Sequence, residues 1–345
     1  MNQGLTFDDV ALVPVFNNVE SRTEPELKTR LTSNVWMDIP ILASNMDSVI
    51  SESLAVVLLQ AGSIPIYHRF ASFEVRRDFA QGCPSFLSSG IREGDLIETE
   101  KLLEQTQALG VCFDIAHGHD ARLLKAISRL RRLYPDVEVI AGNVCTPDGY
   151  RDLVSAGATA VKCGIGPGAA CTTRAVTGFG VPQFTAIQNI AEAKRKLQVP
   201  IIADGGIRNS SDIVKALAAG ADSVMLGKLF ALTNESAAPK RTVEVSNAEY
   251  QKTLKTCVKE AKYRGQASAD FQEEYFGATK DGTVPEGESF WAPVSGSALD
   301  LIGKLLAGVR SGMTYGGART IEELQRKAEF IQVTRNYRAE SDPRP

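Results

Sequence analysis

The stretch GIGPGAACTTR (164–174) carries a cysteine, two threonines and an arginine directly behind three glycines and a proline. A cysteine set there suits nucleophilic attack. The sulfur supplies the electron pair, and the glycine-rich lead-in leaves backbone N–H and C=O groups free to point at a ligand or ion. The competing reading is a small buried hydrophobe, which is what most lone cysteines are. Cys83, Cys112, Cys145, Cys163 and Cys257 are assigned that reading, and for Cys171 both stand. Thr172, Thr173 and Arg174 beside it could orient a leaving group or assist the thiol, although ordinary loop hydroxyls would look the same.

A second chemical candidate is Asp204-Gly205-Gly206, which ends an apolar run and leads into NSSDIVKA. Its carboxylate can accept from ribose hydroxyls, and its glycines expose N–H groups near a helix start, where barrels bind phosphate after their late strands. Taken alone the triplet is a common turn. His117 and His119 of DIAHGHD could suggest a metal, but no carboxylate stands at helical ligand spacing, so a loop role near a cofactor or plain solvation is expected.

These residues need a frame. From residue 40 onward short apolar runs recur at 40–44, 63–68, 85–89, 110–116, 137–143, 158–164, 200–206 and 222–227, each followed by a polar turn and an amphipathic stretch. Eight such units predict an α/β fold, a (β/α)8 barrel, with a doubly wound open sheet as the competitor. Helices are predicted over 120–134, with Leu123, Leu124, Ile127, Leu130 and Leu133 on one face, and over 210–220, opening on a serine cap and stopping at glycine. Polar and glycine residues gather just past the strand ends, on the rim where barrel active sites lie. The polar excursion at 262–298 has little periodicity and is expected to be a mobile flap over that rim, and 297–334 to be a closing helical segment.

Composition narrows the function. A formal net charge of −3 argues against a nucleic-acid surface, which needs clustered excess Lys and Arg, so a small-molecule ligand is expected. The six scattered cysteines read as reduced thiols of a cytoplasmic protein. The opening MNQGLTFDDVALVP lacks a basic segment followed by an apolar one, and no run of about 18 apolar residues occurs, so neither secretion nor a membrane partner is indicated. A single catalytic domain over 1–345 is expected.

The motifs LTFDDVALVP, ILASNMDSV, DIAHGH, AGNV, GIGPGAACTTR, IIADGGI, VMLG, YRG and VPEG together resemble the IMP dehydrogenase/GMP reductase family, from near residue 5 to near residue 334. That resemblance implies a homotetrameric barrel whose cysteine attacks C2 of a purine nucleoside monophosphate and forms a covalent thioimidate. In the dehydrogenases hydride leaves to NAD and water releases xanthosine monophosphate. In the reductases ammonia leaves and NADPH returns hydride to give IMP.

Four features resemble the reductase branch: no room for inserted regulatory (CBS) modules after the second strand, the CTTR…TGFGVPQ continuation (171–183), NMD at 45–47, and EEYF at 273–276. The last places Glu274 where a dehydrogenase carries the arginine of its water-activating Arg-Tyr pair. The reductase roles carried over make Cys171 the nucleophile, with Thr173 and Glu286 helping to protonate the departing amino group. Ser44, Met46, Asp204, Gly205, Gly206, Gly227 and Lys228 would hold the nucleotide, with Tyr263, Gly265, Gln266, Ala267 and Gly287 from the flap. Ser21, Arg22, His68, Asp114, Ile115, Ala116, Asn143 and Gly164 resemble cofactor positions, as do Ser311, Gly312, Met313 and Thr314, some reached from a neighbouring subunit. Carbonyls of Gly166, Gly168 and Cys171, beside Arg174, match a site for potassium or another monovalent cation.

Three positions depart from the family. Ala169 replaces a phosphate-contacting serine, Lys228 follows the strand-eight glycine where glycine or serine is usual, and Gln266 replaces a base-contacting methionine. A lost charge-assisted hydrogen bond costs about 1.5–3 kcal/mol, which an ion pair from Lys228 could offset. Arg22 and Arg69 favour NADPH over NADH. An IMP dehydrogenase, an enzyme of a related purine nucleotide, and a nucleotide-binding protein without turnover remain as alternatives.

Overall fold

The computed structural model describes residues 3–246, 255–279 and 282–341. Eight parallel strands form one sheet: β1 (Ile41–Ala43), β2 (Ile66–Tyr67), β3 (Phe86–Ser89), β4 (Gly110–Asp114), β5 (Glu138–Val144), β6 (Ala160–Cys163), β7 (Ile201–Asp204) and β8 (Ser223–Leu226). Pairing runs β1-β8-β7-β6-β5-β4-β3-β2, and a helix follows every strand, as parallel neighbours require. This is the (β/α)8 barrel; seven of the eight predicted runs contain a strand whole, and the run at 137–143 contains all but the last residue of β5. Between β1 and the start of β2, Ser63 Oγ donates to Ile41 O at 2.6 Å.

Side chains alternate along each strand, and the two columns differ sharply in chemistry. Ile41, Val111, Val139, Val161, Ile201 and Val224 pack outward among the helices. Leu42, Ile66, Phe86, Cys112, Ile140, Ala160, Ile202 and Met225 pack inward as one apolar cluster. Leu31 and Met37, from the hairpin Thr29–Arg30 with Trp36–Met37, join that cluster from below. Two residues further along each strand come Ser44, His68, Ser88, Asp114, Gly142, Lys162, Asp204 and Gly227. None of these eight is apolar, so the barrel interior turns from dry to polar in one step toward its carboxyl end.

Helix Ala121–Leu133 buries Leu123, Ala126, Ile127 and Leu130, while Leu124 lies at the margin of that stripe and Leu133 is exposed at its end. Helix Ser210–Ala218 is capped by Asn209 rather than by serine: its side chain accepts from Asp212 N at 3.0 Å, and Ser210 is already helical.

The excursion is more regular than its composition suggests. Strands β9 (Lys240–Ser246), β10 (Lys255–Arg264) and β11 (Ser289–Pro293) form an antiparallel sheet, and Ala269–Phe276 is a helix. Lysine and glutamate, weak strand formers, hide the alternation in KTCVKEAKYR, and its first partner lies outside the stretch at 240–246. Residues 280 and 281 lie outside the described part. The closing segment has helices Ala298–Tyr315 and Ile321–Lys327, but its end, Phe330–Gln332, is a strand antiparallel to Val10–Leu12. Cys112 and Cys163 are buried and Cys83 and Cys145 half-buried, whereas Cys257 is exposed on β10, so the small-hydrophobe reading fails there. Among the described residues no helix is long and apolar enough to cross a membrane.

Two glycine substitutions are expected to act with opposite signs. A Cβ at Gly110 would lie 2.2 Å from Glu138 O and 2.6 Å from the Phe86 ring, whereas one at Gly303, inside a helix, meets nothing within 4 Å. Urea denaturation should show Gly110→Ala losing about 1–3 kcal/mol and Gly303→Ala gaining about 0.5–1 kcal/mol.

Candidate active site

A cavity of about 700 Å³ opens at the polar end of the barrel, and Cys171 stands in its wall. The thiol is half-buried on a loop held by main-chain bonds: Cys171 N donates to Gly168 O at 3.0 Å, Thr172 N to Glu286 O at 2.9 Å, and Glu288 N to Ala170 O at 2.8 Å. The last two make a short antiparallel pairing of Cys171 with Gly287. The chain segment after the flap helix therefore grips the loop on both sides of the sulfur. The thiol donates to Thr173 Oγ1 at 3.1 Å, and Glu286 lines the same cavity.

Beyond the thiol the loops after β6, β7 and β8 converge. Gly205 and Gly206 have φ of +86° and +79°, and a Cβ at Gly205 would come within 3.2 Å of Gly168 N. Both conformation and space demand glycine there. At Gly227 a Cβ would meet the Tyr263 hydroxyl at 2.7 Å. Burial, with Asp204 and Cys171 nearby, pushes the Tyr263 phenol above its ordinary range, so it is a neutral donor, reaching Met46 Sδ at 3.8 Å. Ala169 and Lys228 line this end, where Lys228 Nζ lies 5.3 Å from the Phe290 ring centroid and no carboxylate among the described residues pairs with it. Gln266 lines the cavity too, and its Nε2 donates to Asn45 O at 3.1 Å.

On the other side Asp114, Ile115, Ala116, Asn143 and Gly164 form the wall. Asn143 Nδ2 donates to Gly164 O and to Asp204 Oδ2, both at 2.9 Å, while its Oδ1 is buried without a partner. A buried unpartnered acceptor on a ligand-sized cavity fits the carboxamide N–H2 of a nicotinamide or a ribose hydroxyl. Arg69, Phe70, Phe271 and Phe276 complete this rim. At the end of β10, Arg264 is held by both Asp47 and Glu274 and lies over the Phe271 and Tyr275 rings of the flap helix. Burial opposes the Arg264 charge, and the two carboxylates overcome it, so it stays cationic.

A family model described as IMP dehydrogenase / GMP reductase domain matches residues 4–81 and 87–344. The chain belongs to that family. It is 36% identical over 396 residues to the inosine-5'-monophosphate dehydrogenase of Borreliella burgdorferi, across 99% of this chain and 96% of that one. It is 33% identical over 340 residues to the GMP reductase of Shewanella halifaxensis, across 95% and 94%. A crystal structure of a GMP reductase variant from Trypanosoma brucei, in complex with guanosine 5'-monophosphate, matches with a TM-score of 0.90 at 26% identity, covering 100% of this chain and 98% of that one. The IMP dehydrogenase/GMP reductase family comprises oxidoreductases of purine nucleotides that use nicotinamide cofactors.

Of the positions expected from the family resemblance, most meet in the one cavity, and a minority lie elsewhere. Ser21 and Arg22 are exposed, away from its walls. Gly312 packs against Val214 and Met313 is buried in the same helix contact, while Thr314 Oγ1 bonds Arg310 O. Ser311 through Thr314 thus do not reach the cavity of their own chain. Arg174 bonds the carbonyls of Ile165 and Val181, which puts a fixed cation inside the loop proposed for a monovalent ion. His119 pairs with Asp152 at 2.8 Å on the surface, and among the described residues no cluster of His, Cys, Asp or Glu could hold a metal. Lys162, within ATAVKCG, is a further residue of the site that the motifs do not mark. Its period-two spacing from Ala160, an inward position, is the signal that marks it as a charge inside the barrel.

His68 does not line the cavity either: its ring is buried, stacked on Tyr67 at 4.7 Å, with Nδ1 accepting from Phe70 N. Burial, then Arg76, lowers its pKa from 6.5 to about 4. Between those values the unfolded chain binds the proton and the folded one does not, so stability is full above pH 6.5 and falls toward pH 4. The loss is on the order of 3 kcal/mol. Denaturation across that window should show His68→Gln with a shallower acid decline than the parent, and NMR should place the His68 midpoint near 4.

Proposed function

We propose that this member of the family is a GMP reductase, converting GMP to IMP and ammonia with NADPH. The observation that carries the reading is the state of Glu274. By the family resemblance it stands where a dehydrogenase carries the arginine of its water-activating pair, and it is paired with Arg264, whose other end is held by Asp47. Among the described residues the group at that position is committed to an ion pair rather than free to activate water, so an intermediate on Cys171 would persist until hydride arrives.

In this reading the Cys171 sulfur attacks C2 of the guanine. Thr173, already bonded to the thiol, and Glu286, whose main chain pairs with the cysteine loop, deliver a proton to the departing amino group. NADPH, when bound, supplies the hydride that C2 receives, and the C2–S bond then breaks to give IMP and return the thiol. The balance is GMP, NADPH and two protons to IMP, ammonium and NADP⁺. Asp114, Ile115, Ala116 and Asn143, whose Oδ1 is buried without a partner, are suited to hold the nicotinamide riboside. Carbonyls of Gly166, Gly168 and Cys171 are the groups that would hold a monovalent cation.

Lys228 is suited to the 5'-phosphate. It and Ala169 line the cavity together with Gly205, Gly206 and Gly227, and among the described residues no carboxylate pairs with the ammonium. A second reading, IMP dehydrogenase, is supported by the 36% identity to the Borreliella burgdorferi enzyme.

NADPH absorbance should fall on mixing with GMP, and Cys171→Ala should slow this on the order of a thousandfold or more. Appearance of NADH from IMP and NAD, with no oxidation of NADPH by GMP, would establish the dehydrogenase instead. Lys228→Met should raise the KM for GMP about tenfold or more while leaving competitive inhibition by guanosine, which lacks the phosphate, unchanged. Equal losses for nucleotide and nucleoside would remove Lys228 from the phosphate site.

A further inference from the structure

One ammonium ties together the two acidic walls of the cavity. Lys162 is 1% exposed, and its Nζ donates to Asp114 Oδ1 at 2.6 Å and to Asp204 Oδ2 at 3.2 Å, with Asn45 Oδ1 at 3.5 Å. Three acceptors match its three N–H bonds, so no donor is left for a ligand. The carboxylates differ in this respect: each is partly exposed and lines the cavity. Room for the lysine is made by Gly142, where a Cβ would come within 2.7 Å of Lys162 Cβ.

We infer that Lys162 is a positioning residue that couples the nucleotide and dinucleotide halves of the site, by holding Asp204 and Asp114 on a single shared ammonium. The inference rests on the proposed assignment of Asp204 to the nucleotide and Asp114 to the cofactor. A ligand hydroxyl donating to Asp204 Oδ1 draws carboxylate charge away from Oδ2, the oxygen that Lys162 and Asn143 Nδ2 hold. The ammonium then shifts its share toward Asp114, and the dinucleotide side registers the change without any contact between the ligands.

The test is a double-mutant cycle read by calorimetry. With Lys162 present, Asp114→Asn, remote from the nucleotide, should change the GMP dissociation constant at least about threefold; with Lys162→Met the same substitution should change it by less than about 1.5-fold. Equal effects in both backgrounds overturn the coupling. In turnover, Lys162→Gln should raise KM for GMP and for NADPH together by more than it lowers kcat. A purely structural lysine would lower Tm and leave both KM values in place. Should Lys162→Met fail to fold, Lys162→Gln carries the same cycle. If the parent protein binds no GMP, the proposed function fails on its own. Ligand-free crystal structures still decide the lysine: Asp114 and Asp204 should part in Lys162→Gln, and carboxylates left in their original positions refute the inference.

Discussion

Strands closed round a common axis must point every second side chain inward, and what those columns contain governs the rest of the molecule. The lower inward residues, from Leu42 and Ile66 to Met225, form a dry plug that holds the ring together. The next residues inward would be expected to continue that core by hydrophobicity alone. They are instead serine, histidine, aspartate, lysine and glycine. Burying an ionised group without a partner is far costlier than burying an apolar one, so these positions must satisfy one another. Asp114, Lys162, Asp204, Asn45 and Asn143 do so in one hydrogen-bonded cluster, and Asn45 Nδ2 extends it to Ser88 Oγ at 2.8 Å. The floor of the cavity is thus set before any loop is added.

The loops then differ in how firmly they are placed. The turn after β7 is dictated by left-handed glycines, and the approach of Tyr263 to Gly227 leaves no room for a side chain. The Cys171 loop begins on left-handed glycines too, Gly164 and Gly166, but its stretch around the sulfur is held by its pairing with 286–288. The flap is anchored in turn by Arg264, which spans from Asp47 beyond β1 to Glu274 on the flap helix. Nucleophile, flap and barrel form a chain of dependence rather than three separate parts.

Much of this was visible in the amino-acid order. The eight apolar runs marked the strands because β-branched residues and turn glycines alternate strongly there, and GIGPGAACTTR and DGG announced themselves by composition. The three-stranded sheet was not visible, since Lys255–Arg264 is charged and its register depends on distant residues. Asn209 was passed over as a cap in favour of the serines beside it, because both types cap equally well and only the dihedral angles separate them. Lys162 was hidden for a different reason. A charge in a strand looks like an exposed face until the other strands supply the carboxylates that justify it, and those lie 48 and 42 residues away.

The grip of residues 286–288 on the cysteine loop is made entirely by peptide groups. Main-chain bonds are blind to the identity of the side chains they pass, so Glu286, Gln266, Ala169 and Thr173 can each be exchanged without unseating the sulfur. Placement of the reactive atom and choice of reaction are thereby written in separate alphabets, one of backbone and one of side chains. A barrel organised this way can drift between related chemistries through surface substitutions in its cavity while its attacking atom stays where it was.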